Sequence, residues 1–297
     1  MSRSSARSLG ISLGVISHAL PRRQARAWLI GACVAAGFWL APLPALAQGK
    51  LEAHYEASLA GIAVGRGTWG IEISDDYYSA SAQGATAGLL KAFSGGTGTG
   101  SAQGRVVNGA LVPSNYLATI SSKKSETIKI NLAGGGVKDF SIEPEPPVDA
   151  DRIVVTEAHK KGVIDPMTSS LVRVSGNGEL LGPEACRGGS SVFDGRLRYD
   201  LKLDFKRMET VKAEKGYHGP AVVCAIYFTP IAGYIPDRPV IKYLATERKM
   251  EITLVPIAGT RVLVPFRLSI PTPFGPAVLE ATQFNTVALP PRVAKTQ

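Results

Sequence analysis

The sequence predicts a mainly β protein: a curved antiparallel sheet or open half-barrel carrying one or two short helices. Two observations carry this. Apolar and polar side chains alternate with a period of two in segment after segment, the mark of strands with one buried and one wet face. The links between these segments are short and turn-rich, not the long amphipathic helices that parallel crossovers need. The chain's 32 glycines and 20 prolines suit many turns.

The elements follow from the N-terminus. Residues 1–47 read as an export signal. Arg22, Arg23 and Arg26 precede the 14-residue apolar run Ala27–Leu40, and Ala45-Leu46-Ala47 supplies the small residues a signal peptidase cuts after. The run is shorter than the roughly 20 residues of a membrane span, and Pro42 and Pro44 follow it. Ile30-Gly31-Ala32-Cys33 resembles a lipobox, but the apolar run continues seven residues past Cys33 instead of closing there. Cleavage at Ala45, Ala47 and Gln48 leaves a 250-residue chain with no transmembrane segment. Without the leader's five arginines the net charge falls from +9 to +4. That balance, together with export, argues against a nucleic-acid partner.

Residues 48–290 are expected to form a single β-rich domain, large enough to bury a sizeable core. Trp69, Ile71 and Ile73 alternate with Thr68 and Glu72. Thr86–Phe93 suggests a short helix, and the glycine tract Gly95–Gly104 after it suggests a mobile loop. Segments 116–120 and 126–132 are weaker strands, followed by an extended proline-rich linker, Glu143–Val148. Asp165 then starts a short helix: its carboxylate can accept from free backbone N–H groups, and Pro166 has no N–H to leave unpaired. Asp194-Gly195 marks a hairpin turn. The cleanest strand is Leu197–Phe205, in which Leu197, Tyr199, Leu201, Leu203 and Phe205 alternate with charged residues. Segment 221–228 is a further strand. Met250, Ile252 and Leu254 alternate with Glu251 and Thr253. Val262, Val264, Phe266, Leu268 and Ile270 alternate opposite Arg261 and Arg267. Segment 278–284 completes the set, and 291–297 reads as a flexible tail.

Cys186 and Cys224 are the cysteines that remain after cleavage, and an even count in an oxidising compartment implies a disulfide. His54, His159 and His218 fall in no metal-ligand spacing, so no metal or cofactor is expected. Gly189-Ser190-Ser191 lacks the strand-to-helix context of a nucleophile elbow. The glycine-rich stretches lack the Lys-Ser/Thr of a phosphate loop. Asp165 is accounted for by helix capping. No catalytic residue is assigned.

Four segments, Gly61–Gly70 (GIAVGRGTWG), Gly109–Tyr116 (GALVPSNY), Asp165–Arg173 (DPMTSSLVR) and Val192–Tyr199 (VFDGRLRY), resemble the bacterial envelope family called domain of unknown function 3108. Gly216–Gly233 also resembles its proteobacterial members. The resemblance spans nearly all of 51–285. It implies a secreted or periplasmic β-rich protein with no established activity and no catalytic residues to transfer.

The expected function is therefore that of a periplasmic, non-enzymatic protein. Its curved sheet would hold an apolar or amphipathic ligand, such as a lipid, or dock an envelope protein. Half-barrel lipoprotein carriers offer the nearest architectural analogy. The candidate ligand-facing residues are Tyr199, Leu201, Leu203, Val264, Phe266 and Leu268. An envelope hydrolase with an unrecognised site and a structural scaffold in a cell-envelope complex are the alternatives. Intact-mass analysis of the exported protein should place its N-terminus at Gln48; a terminus at Cys33 or an uncut chain would refute this reading.

Overall fold

A computed structural model describes residues 48–88 and 95–290. The leader with Ala45 and Ala47, the tail 291–297 and most of the helix expected over Thr86–Phe93 lie outside these residues. In chain order the strands are β1 (Gly49–Leu59), β2 (Ile62–Ile73), β3 (Tyr77–Thr86), β4 (Thr97–Val107), β5 (Ala110–Ser121), β6 (Ser125–Ala133), β7 (Gly136–Glu143), β8 (Val172–Arg173), β9 (Gly188–Phe193), β10 (Arg198–Lys212), β11 (Lys215–Gly216), β12 (His218–Ala232), β13 (Glu251–Pro256), β14 (Val262–Ile270) and β15 (Ala277–Ala288). Two short α-helices, Pro166–Ser169 and Pro239–Thr246, join them.

The strands build one open, mainly antiparallel sheet in the order β7-β6-β5-β4-β3-β2-β1-β15-β14-β13-β12-β10-β9. The two-residue β11, at the tip of the β10–β12 hairpin, pairs in parallel with β15. The fold class expected from the sequence is the one observed.

Strands β1, β3, β4, β7 and β9, with the two-residue β8 and β11, are additions to the sequence-based set. The glycine tract is not a loop: it forms most of β4, in register with β3 on one side and β5 on the other. Its inward positions are Gly98, Gly100, Ala102 and Gly104, and its outward ones are Thr97, Thr99, Ser101 and Gln103. The alternation is intact, but it is between small and polar residues, so hydrophobic contrast is missing. Thr86, expected to begin a helix, instead ends β3.

Two bulges alter the expected faces. In β14, Leu254 pairs with Pro265 and Thr253 with Arg267, so Phe266 is an extra residue and the side chains beyond it change sides. Val262, Val264 and Phe266 therefore join one core cluster, while Leu268 and Ile270 pack with Leu263 against another. In β10 the ladder shifts between Phe205 and Arg207. Phe205, expected on the buried face, is 40% exposed, because β9 covers β10 only as far as Leu203.

The two edges of the sheet are stitched together by the segment leading into the first helix. Gly162 N–H donates to Gly135 O at the β6–β7 turn (2.7 Å), and Ile164 exchanges backbone bonds with Ser191 and Phe193 of β9 (2.9 and 3.0 Å). Phe140 of β7 meets Phe193 of β9 edge to face, with ring centroids 5.1 Å apart. Val163 and Phe193 share a core cluster with Ile130 and Leu132 of β6. Arg196, beyond β9, pairs with Glu126 of β6. Gly195 lies between them at φ 97°, where a side chain would be strained and its Cβ would sit 2.7 Å from Ile128.

Asp165 closes this clasp. Its fully buried carboxylate accepts from Thr168 N–H (2.8 Å) and from the Thr168 hydroxyl (2.6 Å), capping the helix behind Pro166. With the Thr168 proton committed, Tyr78 of β3 donates to Thr168 Oγ1 (2.7 Å). Burial raises the Asp165 pKa above the usual carboxylate range, against the opposing bonds from Thr168.

Cys186, on a 3₁₀ turn (Pro183–Cys186), lies against Cys224 of β12 in a disulfide-compatible pair with a Cα separation of 5.6 Å. Both residues are buried with Val222, Ile226 and Leu254.

Two predictions arise here. Reduction should add the mass of two hydrogens and, by opening a 38-residue separation, cost about 4 kcal/mol of stability in denaturant unfolding. Asp165→Ala should cost about 2 kcal/mol by removing the cap and leaving the Thr168 N–H unpaired, with Asp165→Asn costing less. A raised native pKa means that the folded state holds the extra proton. The wild type should therefore gain stability relative to Asp165→Asn as pH falls from neutral toward the ordinary carboxylate range; pH-resolved urea titrations of the pair measure this.

Candidate functional site

The register of the sheet places its smallest residues in rows on one face. Tyr55 of β1 pairs with Gly67, Gly67 with Gly84, Gly84 with Gly98, and Gly98 with Ile120. The next row runs Trp69, Ala82, Gly100, Ala118. Directly paired residues point to the same face, so a bulky wall at Tyr55 and Trp69 gives way to strands with almost no side chains. A hollow of about 560 Å³ results. The helix Pro166–Ser169 lies over it, and Met167 reaches toward Gly100, where an added Cβ would come within 3.0 Å of Met167 Cε.

A second cavity of about 370 Å³ lies on the other side of the helix, lined by Leu171, Leu201, Leu203, Ile226 and Ile252. The two cavities share Ser170, Pro265 and Leu268, so they are neighbours. The clasp thus sets the roof of both.

Three of the six candidate ligand-facing residues, Leu201, Leu203 and Leu268, line this interior. Tyr199, near the start of β10, packs on Phe228, with centroids 5.4 Å apart. Val264 and Phe266 are core residues with 0% and 1% exposure, on the far side of the β14 bulge from Leu268. Sequence reasoning missed Trp69, Gly98, Gly100, Ile120 and Met167 as lining residues. The period-two Gly/Thr alternation of 96–100 was the available signal for the glycines.

The polar groups of the interior are mostly engaged. The Tyr55 hydroxyl donates to Pro265 O (2.7 Å). Asp194 accepts from the N–H groups of Arg196 (2.8 Å) and Leu197 (2.7 Å), while burial raises its pKa. Burial also pushes Tyr116 up to about 12, reinforced by the negative charges of Asp165 and Asp194, and raises Tyr199 similarly. The buried Trp69 indole N–H lacks an acceptor among the described residues.

The opposite face of β1–β4 carries a shallow groove of about 690 Å³ lined by His54, Glu56, Arg66, Thr97 and Glu214. There Arg66 pairs with Glu56 (3.2 Å). Among the described residues no group of three or more His, Cys, Asp or Glu is placed to hold a metal ion. No helix among them is long and apolar enough to cross a membrane.

No curated protein matches the chain. Among solved structures, a β-barrel-like protein of domain of unknown function DUF1849 from Brucella abortus is similar in 82% of this chain and 98% of its own, with 8% identity and a TM-score of 0.43. The profile of the family described as "Protein of unknown function (DUF3108)" matches residues 54–282, most of the chain, and the protein therefore belongs to that family.

Proposed function

We propose that the protein is a non-enzymatic component of the cell envelope that holds an apolar or amphipathic ligand, such as a lipid, in the hollow beneath the helix Pro166–Ser169. The observation that carries this reading is the glycine and alanine wall. A sheet that needed only a packed core would fill these inward positions with Val, Ile or Leu; here Gly67, Gly84, Gly98 and Gly100 leave the space open. Its size falls within the range of about 300–1,000 Å³ typical of small-molecule sites. The lining is apolar apart from a few hydroxyls such as those of Tyr116 and Ser170, which suits a chain or ring with a small polar end. Asp165 and Asp194 are committed to capping and turn bonds, which favours binding over hydrolysis.

Export to an oxidising compartment is part of the proposal and is supported by the buried Cys186–Cys224 pair. An envelope protein docked on the sheet is the other occupant the sequence suggests. The apolar lining of the hollow and the helix that roofs it at Met167 favour the small ligand.

Gly98 gives the sharpest test. A Cβ built there meets only Thr119 O, at 3.9 Å, so Gly98→Leu can extend into the hollow without backbone strain. It should leave the thermal unfolding midpoint near the wild-type value and lower affinity for a dansyl-labelled fatty acid by about tenfold or more, the equivalent of about 1.4 kcal/mol. Native mass spectrometry should find a co-purified lipid on the wild type and less of it on the variant. Equal probe affinity in the two proteins would refute the assignment.

A further inference from the structure

We infer that the mouth of the hollow is a docking face for an anionic lipid bilayer, formed by two fused hairpin tips and a neighbouring lysine turn. The inference rests on the ligand reading above and adds where the ligand would be exchanged.

The β1–β2 and β14–β15 turns lie side by side, because Leu59 pairs with both Ile62 and Ala277. Ala60 N–H donates to Pro276 O across the gap (2.9 Å). Gly275, at φ 108°, fits against Ala60 where a Cβ would come within 2.7 Å. Thr272 and Gly275 close the second turn with reciprocal backbone bonds of 3.2 and 3.0 Å. Ordered in this way, the tips present Phe274 at 80% exposure and Ile62 at 59%. The turn's hydrogen bonds do not require an outward phenylalanine, and with Ile62 on the adjoining tip it offers apolar groups for a partner to cover.

The antiparallel order puts the β5–β6 turn at the same end. Its Lys123 and Lys124 are exposed. The carboxylates nearest in the ladder are already taken, Glu126 by Arg196 and Glu143 by Lys129, and among the described residues neither ammonium group has an ion-pair partner. Ile120, just before this turn, lines the hollow and is itself 55% exposed. Among the described turns at the opposite end, Ser74-Asp75-Asp76, Asn108-Gly109, Gly134-Gly135 and Ala258-Gly259 are small or acidic, while the β10–β12 tip carries Lys212 and Lys215. Among the described residues, the outward Phe274 and Ile62 meet lysines and the hollow's rim at one end only. Aromatic and aliphatic tips that enter the headgroup region beside lysines that meet lipid phosphates are the arrangement a bilayer surface accommodates.

Vesicle flotation tests this with the purified exported protein. Wild type should float with vesicles of phosphatidylcholine plus phosphatidylglycerol and less with phosphatidylcholine alone. Ile62→Ser/Phe274→Ser should lower binding by about tenfold or more, and Lys123→Glu/Lys124→Glu should abolish the preference for phosphatidylglycerol. The control Val107→Ser/Val287→Ser, exposed valines toward the opposite end, should float as wild type does. Failure of the wild type to float, or equal losses in the tip and control variants, would overturn the inference. The dansyl fatty acid without vesicles separates the two claims. Tip variants that keep probe affinity and the wild-type unfolding midpoint while losing flotation support docking. Flotation without any probe binding would overturn the ligand reading and, with it, the assignment of this face to ligand exchange.

Discussion

The segment from Gly162 to Ser170 constrains the rest of the molecule. A sheet with thirteen strands along its main path has two edges whose unpaired backbone groups would otherwise template further pairing. Here the chain crosses from one edge to the other, bonding Gly135 beside β7 and Ser191 and Phe193 on β9, and then turns inward at Asp165. The Asp165–Thr168–Tyr78 chain ties that crossing to β3, several strands away in the sheet. Edge protection, curvature and the position of the helix over the hollow therefore share one short stretch of backbone and one buried carboxylate.

Much of this was legible in the sequence, and what was not has identifiable causes. Leu197–Phe205 and Val262–Ile270 read as strands because their hydrophobic contrast is high. Asp165-Pro166 read as a helix start because capping chemistry is local. The Asp194-Gly195 turn was equally plain, with Asp194 bonding two backbone N–H groups just ahead of β10. Strand β4 was hidden because its inward residues are glycine and alanine, so contrast fails where the protein makes room. Phe266 hid the change of face in β14, since a bulge depends on the partner strand's register, which no single segment contains. Leu268 lines the interior beside the helix, whereas Val264 and Phe266, named with it from the sequence, belong to a different core.

The interior divides its work accordingly. Phe266, Phe284, Leu51 and Val264 fill one cluster completely. The cluster around Cys224 and Leu254 is completed by the partly buried Leu201, Leu203 and Leu268, which form the cavity wall. Closely packed, rigid cores flank a volume left unfilled, and the cysteine pair fastens the side that would otherwise depend on half-covered strands. Open space costs packing energy wherever nothing occupies it. Concentrating the large side chains on either side is what makes such a gap tolerable.

The glycine row has a consequence for how this family can vary. Where Gly67, Gly84 and Gly98 lie, the wall is a single backbone thick, with Thr68, Gln83, Thr97 and Thr99 on its outer side. A side chain acquired at Gly98 would project inward alone. The depth of the hollow can thus be retuned at Gly98, where a Cβ meets only Thr119 O at 3.9 Å, but not at Gly67, where it would lie 2.8 Å from Gln83 O. Under the proposed reading, ligand calibre would in this sense be a trait separable from folding, set by a position that the exterior does not report.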